Sequence, residues 1–367
     1  MKFAFYENFV AFSQRYKASK IWGGAERTIY ELSKRLVKKG NIVIWVTVRY
    51  GNAEKSDLVD GIQIMRIKGN VSIHFHAPRI IRDIKPDIIV DDMAHVVPWG
   101  SELFFPKIPG TVFFRHLHRR SLSGQVSILL RLGLVALESV YPLIYRKWKF
   151  VTETESSIKD LENIGITRNR IVKIAPGVDT DMFYPSKKTE RPTIVYFGGF
   201  RDYKRPWEAV YLIKNINEHY KDARLIMAGD GPSLEKVKNL VNKLEILDLV
   251  EFVGKIKTNE LNQLVSSAWV NIHSSVTEGF GLSIIESSSA GTPTVAYNVP
   301  GVRDVLKNGI NGYLVENNNR SAMLQKVLEI FENKEWMISS SRNEALEYSW
   351  ENATSKWNEH LESLLKP

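Results

Sequence analysis

With 367 residues the chain exceeds what one ordinary hydrophobic core holds, and 44% hydrophobic with 25% charged residues is the balance of a folded globular protein. The absence of cysteine excludes disulfides, thiolate chemistry and cysteine metal sites, and suits a cytoplasmic protein. The formal charge of +9 is uneven: residues 1–188 hold 30 Lys+Arg against 18 Asp+Glu and residues 189–367 hold 20 against 23, so the N-terminal half carries either a solvated basic face or a surface for an anionic partner.

The first segment, MKFAFYENFVAF, is broken by Glu7 and Asn8 and lacks a small-residue cleavage site, so it reads as a strand and loop and not as an export signal. AERTIYELSKRLVKKG follows, apolar at Ile29, Leu32, Leu36 and Val37, a helix stopped by Gly40. Strand-like runs then recur: NIVIWVTV (41–48), DIIVDD (87–92), TVFFRH (111–116) and KFVTET (149–154). Residues 119–149, between the last two, combine six Lys+Arg with one Glu and a long apolar face. They form either a core helix with basic ends or a basic amphipathic helix on an anionic membrane. Their most apolar part, SILLRLGLVALESVYPLIY, is interrupted by Arg131 and Glu138 and falls short of a spanning helix.

A polar connector, FYPSKKTERPT (183–193), precedes a second series: TIVYFGG, ARLIMAGDG, LVEFVG, WVNIHSS and TPTVAYNV, each followed by a helix or a tight loop. Such alternation predicts parallel sheets covered by helices. The expected fold is α/β, with two tandem doubly wound, Rossmann-like domains over 1–186 and 187–348. Ligands are expected at the C-terminal strand ends and in a cleft between the domains. The closing segment, YSWENATSKWNEHLESLL, predicts an amphipathic helix, within 349–367, that docks back on the N-terminal domain.

One stretch concentrates chemistry. TEGFGLSIIE (277–286) sets Glu278 and Glu286 around a Gly-Phe-Gly turn, between a strand and a helix. Free backbone N–H groups at such a turn suit a diphosphate, because glycines admit phosphate oxygens closely and the helix N-terminus adds partial positive charge. A carboxylate is repelled by diphosphate, so each Glu is better suited to hydroxyls of the flanking sugars. Ser283 to Glu286 also fits a capping box, in which Glu286 binds no ligand, and Glu278 also reads as a solvated loop residue. As an isolated pair the two glutamates also fit a glycosidase acid and nucleophile.

The pattern EGFGLSIIESSSAGTPTVAYNVPGVRDVLKNGINGYLV resembles the nucleotide-sugar-dependent glycosyltransferases of family 4, which have the two-Rossmann-domain GT-B fold. GGAE, VKIAPGVDTDMFYP, YFGGFRDYKRP, MAGDGP and the terminal YSWE extend the resemblance over nearly the whole chain.

That resemblance implies a retaining transferase that moves a sugar from a nucleoside diphosphate to an acceptor hydroxyl. UDP-sugar is the default donor, ahead of GDP and ADP, and the acceptor is expected to be a lipid-linked or cell-surface glycan. Glu286 would bind the donor ribose, and Glu278 a hydroxyl of the transferred sugar. The amides of Gly279, Phe280, Gly281 and Leu282 would hold the diphosphate, with Gly23 and Gly24 closing on it from the other domain. Lys204 matches the family lysine that neutralises the leaving phosphate. The family arginine five residues earlier is replaced by Gly199, leaving Arg201 as the substitute or as a surface residue. His116 matches a histidine that contacts the donor sugar, with His118 as its rival, since both fall on one face of an extended segment.

No cofactor and no metal are expected. Asp179-Thr180-Asp181 has the spacing of a metal-binding DxD, but its place in GVDTDMF favours a turn and cap. An oxidoreductase is disfavoured because no G-x-G-x-x-G follows the first strand, and a nucleic-acid binder because aromatics do not cluster in a recognised module. The competing readings are a non-catalytic sugar-nucleotide-binding protein, with Gly199 as the sign of a degraded site, and a nucleotide-free glycan phosphorylase or hydrolase. Localisation is expected to be cytoplasmic, with peripheral contact at an anionic membrane through residues 119–149.

Overall fold

A computed structural model describes residues 1–7, 24–49, 51–69, 72–94, 97–117 and 127–366. The chain divides into two compact units, residues 1–177 together with 350–367, and residues 178–349. The connector 183–193 therefore lies inside the second unit, and the crossings fall at Gly177 and Ser349.

The first unit is built on β1 (Lys2–Glu7), β2 (Ile42–Arg49), β3 (Ser56–Val59), β4 (Ile62–Lys68), β5 (Ile88–Met93), β6 (Gly110–Phe114), β7 (Lys149–Thr152) and β8 (Ile171–Lys173). Their order is β3-β4-β2-β1-β5-β6-β7-β8, parallel except for the antiparallel β3–β4 pair at one edge. Side chains alternate between two cores, as a period of two requires. Val112, Phe114 and Phe150 pack with Ile73, Ala77 and Ile81 of the helix Ile73–Ile84. Phe113 and Val151 face the opposite side, with Ile29, Leu32 and Leu36 of the helix Gly24–Lys38.

The C-terminal helix Trp350–Leu365 completes that second core. Trp357 meets Phe113 edge to face at 4.7 Å and is buried, and Leu361 packs beside it. Burying a tryptophan in this way is worth about 3–5 kcal/mol against its truncation. His360 joins Thr111 Oγ1 at 3.0 Å, and burial, helped by nearby Lys149, pushes its pKa down to about 4. A histidine kept neutral in the fold but free to protonate when unfolded makes stability fall with pH between 6.5 and about 4. We expect acid denaturation profiles of wild type and His360→Gln to differ by up to about 3 kcal/mol over that window and to run parallel above pH 7.

The second unit holds β9 (Thr193–Phe197), β10 (Arg224–Ala228), β11 (Val250–Gly254), β12 (Val270–His273), β13 (Thr294–Tyr297) and β14 (Gly312–Val315). They form one parallel sheet in the order β11-β10-β9-β12-β13-β14. Connections run outward in opposite directions from the β9/β12 pair, so the loops following these two strands leave from adjacent ends at the switch point. Val195, Phe197, Ala228 and Val265 form one core cluster of this unit. The helix Leu282–Ser289 buries Ser287, Ser288 and Ser289 completely, and each hydroxyl is satisfied by a carbonyl: those of Thr292, Ile284 and Phe183. Small polar side chains let this helix sit deep in the unit without stranding a donor.

Candidate active site

Both loops at the β9/β12 switch are stitched to one another. Val276 N donates to Tyr203 O at 2.8 Å, Ser274 Oγ to Lys204 O at 2.8 Å, and Arg205 Nε to Ser274 O at 2.7 Å. Arg205 is buried, lies 4.7 Å above the Tyr297 ring and also donates to Ser275 O and to Asn317 Oδ1. Its charge is thus occupied in holding the loop, whereas the neighbouring Lys204 points elsewhere.

Lys204 Nζ lies 2.7 Å from Glu278 Oε1, with side-chain exposures of 21% and 12%. Ser275 Oγ donates to the same oxygen at 2.6 Å, and His273 Nε2 is 3.3 Å from it. All three neighbours converge on Oε1, and Oε2 has no hydrogen-bond partner among the described residues. Burial works against both charges of the pair. The Glu278 carboxylate nevertheless holds the Lys204 ammonium above its ordinary value, and Lys204 and His273 hold Glu278 well below its own.

Beyond Glu278 the chain turns through Gly281, at φ +94°, into the helix Leu282–Ser289. The N–H groups of Gly279 to Leu282 meet no acceptor among the described residues. Phe280 is anchored by its ring, edge-on to Tyr348 at 5.6 Å. Free amides at a helix start, with a lysine in the adjoining loop, are an arrangement that can accept an anion. Because Gly281 is the N-cap, Ser283 and Glu286 are the second and fifth helical residues. A capping box needs them at the N-cap and third positions, so that alternative for Glu286 is removed. Glu286 is buried, one turn beyond Leu282 on the same helix face.

Arg201 is exposed, and its side chain runs across Gly199, with Cγ and Nε 3.8 Å from where a Cβ at 199 would stand. A Cβ at 199 would therefore touch the Arg201 side chain at ordinary van der Waals distance. Asp179 caps a turn, its Oδ1 accepting from Met182 N at 3.1 Å, as expected for GVDTDMF.

In the first unit, His116 lies two residues past the end of β6 and not at the strand end. The residue before it is a buried anchor. Arg115 donates to Asp92 Oδ1 at 3.1 Å, Glu153 Oε1 at 2.7 Å and Ala25 O at 3.3 Å, tying the ends of β5 and β7 to the start of the helix Gly24–Lys38. Burial pushes both carboxyls upward, against the pull of Arg115. Gly24 is the exposed first residue of that helix; Gly23 and His118 lie outside the described residues. His116 and Gly24 thus belong to the first unit, and Arg201, Lys204, Glu278 to Leu282 and Glu286 to the second. His273 and Ser275 were not singled out by sequence pattern, although they sit in WVNIHSS. What would have found them is that both fall just before Glu278, at and beyond a strand end.

Comparison with known proteins agrees with this geometry. The family "Glycosyltransferase Family 4" matches residues 22–182 and "Glycosyl transferases group 1" residues 178–349. An uncharacterized glycosyltransferase of Haemophilus influenzae is 26% identical over 350 residues, 91% of this chain and 95% of that protein. One subunit of the phosphatidylinositol N-acetylglucosaminyltransferase from Arabidopsis thaliana is 25% identical, over 78% of this chain and 66% of that one. The crystal structure of Anabaena HepE in complex with UDP-glucose shares the fold, with a TM-score of 0.76 at 16% identity over 99% of this chain and 100% of that one. Two matched families that run between them from residue 22 to 349, on two Rossmann-like units, make this chain a member of glycosyltransferase family 4 and a transferase of the GT-B type.

Proposed function

We propose that the chain transfers a sugar from a nucleoside-diphosphate-sugar, UDP-sugar first, to an acceptor hydroxyl with retention of configuration and without a metal ion. The observation that carries this reading is the Lys204–Glu278 pair beside the unbonded amides of Gly279 to Leu282. Lys204 and the amides face the charge that develops on the departing diphosphate, and such pre-oriented groups act most strongly in the transition state. Oε2 of Glu278 is left to accept from a sugar hydroxyl, Glu286 binds the ribose, and His116 contacts the transferred sugar. Retention follows from the family resemblance, with the acceptor attacking the face the phosphate leaves. The structure of HepE with UDP-glucose supports UDP as the donor nucleotide.

For the acceptor we propose a lipid-linked or cell-surface glycan at a membrane surface. The helix Ile128–Ser139 supports this: its one buried residue is Glu138, while Ile128, Leu129, Leu130 and Leu132 are 53–82% exposed, beside exposed Arg131. A relative whose name includes phosphatidylinositol points the same way. No helix among the described residues is long and apolar enough to cross a membrane; the contact proposed is peripheral, through the exposed face of the helix Ile128–Ser139.

The test is nucleotide release by purified protein, with chelator, from a panel of UDP-, GDP- and ADP-sugars, with and without anionic lipid extract. Release from one donor, increased by lipid and indifferent to chelator, supports the reading. Donor binding with no release under any condition would leave a sugar-nucleotide-binding protein with a degraded site. In the same assay Arg201→Ala is expected to lower turnover about tenfold, because one charge-assisted contact to phosphate is lost. An unchanged rate would return Arg201 to the surface.

A further inference from the structure

We propose that His273 is a positioning residue that takes over Glu278 when Lys204 turns to the donor diphosphate. This rests on the function proposed above. Glu278 Oε1 is held by Lys204 at 2.7 Å and Ser275 at 2.6 Å, while His273 Nε2 stands back at 3.3 Å. That nitrogen is buried and has no well-formed hydrogen bond. The oxygen it faces at 3.3 Å is the one already claimed by the lysine.

Facing a carboxylate oxygen, which only accepts, Nε2 is the nitrogen that carries the ring hydrogen. Nδ1 lies 3.3 Å from Ser283 Oγ. With the serine hydroxyl donating to Nδ1, the neutral ring carries its hydrogen on Nε2, facing Oε1. A buried N–H without an acceptor costs about 1–3 kcal/mol, so the ring is set to close on Oε1 as soon as that oxygen is freed.

A diphosphate on the amides of Gly279 to Leu282 brings two or more negative charges near Lys204 and draws its ammonium away. Glu278 then loses its strongest partner at the moment its carboxylate must stay ionised and aimed. Ser275 and His273 remain, and the histidine is fastened at both ends: by the end of β12 and, through Ser283, by the first turn of the helix that cradles the phosphate. Hydrogen bonds at catalytic groups are commonly long before the ligand arrives and tighten with it. Keeping Oε1 on His273 leaves Oε2 directed at the sugar.

Two substitutions separate this from a packing role. In His273→Asn the amide replaces Nδ1 and keeps the Ser283 end, but nothing reaches Glu278. In His273→Gln the longer side chain carries an N–H to the place of Nε2. The measurements are kcat and KM for the donor that wild type turns over, UDP affinity by calorimetry, and thermal melting. We expect His273→Asn to lose at least tenfold in kcat with UDP affinity unchanged within twofold, and His273→Gln to stay within threefold of wild type. Equal kcat in all three proteins would overturn the proposal, and so would a parallel loss of kcat and UDP affinity in both variants. A wild type that binds UDP but turns over no donor would instead overturn the transferase function, and this role with it.

Discussion

Lys204→Met is expected to lower kcat/KM for donor turnover by about 10²–10³-fold, the scale on which one pre-oriented group facing developing charge is worth about 2.7–4 kcal/mol. Methionine keeps the length and the apolar stem, so the loop need not move. Glu278 keeps Ser275 and His273, and the carboxylate is not stranded. The loss should appear mainly in kcat, because the ammonium matters most once the sugar–phosphate bond is breaking. Steady-state nucleotide release over a donor titration checks this; less than a tenfold loss would mean that Lys204 serves only to neutralise Glu278.

The pH dependence of that pair has a definite sign. Glu278 is held below its ordinary value, so its contribution to stability is present above pH 4.5 and is lost as pH falls through its depressed value. Lys204 is held above its ordinary value, so its contribution is present below pH 10.5 and is lost as pH rises through its raised value. Between those limits both groups stay charged in the free protein, and neither should add a limb to the wild-type profile of kcat/KM.

Gly301→Ala should be strongly damaging, and among the close-packed glycines of the second unit its effect falls directly on Glu278. Gly301 has φ +82°, and a Cβ there would stand 2.1 Å from Glu278 O and 3.1 Å from Glu278 Cβ. The neighbouring Pro300 O accepts from Glu278 N at 3.0 Å, so the two loops approach backbone to backbone. One methyl group must therefore push Glu278 away from Lys204 or break that hydrogen bond. We expect a loss of about 3 kcal/mol or more in chemical denaturation, from left-handed backbone strain and overpacking together, and donor turnover near background. Wild-type stability and turnover in this variant would mean that the loop carrying Glu278 is free to shift, contrary to the stitched geometry of the two loops.

Much of the molecule was legible beforehand because its strands are continuous apolar runs separated by amphipathic helices, a pattern that only a covered parallel sheet satisfies. The β3–β4 hairpin and β14 were not seen. β3 and β14 are four-residue edge strands, too short for a clear period, and SDLV has half its side chains exposed, while β4 alternates polar and apolar residues and does not read as a continuous apolar run. The position of His116 was misjudged for a related reason: TVFFRH reads as one extended run, but β6 stops at Phe114, and Arg115 leaves the ladder to bind Asp92 and Glu153.

For the candidate site the division is sharper. Glu278, Glu286 and the glycine turn stand in a local motif whose spacing marks a strand, a phosphate-sized turn and a helix, so residue order was enough to single them out, whereas Lys204 was reached through the family resemblance. Which of these groups touch was decided elsewhere. Lys204 and Glu278 are 74 residues apart and meet only because β9 and β12 are adjacent at the switch point of the sheet. The same adjacency brings His273 and Ser275 onto the carboxylate, occupies Arg205 with carbonyls, and requires glycine at 301. Local patterning specifies elements because its energetics act within a turn or a strand. Charge pairing and close backbone approach act through space, and they exist only once the sheet has ordered its strands.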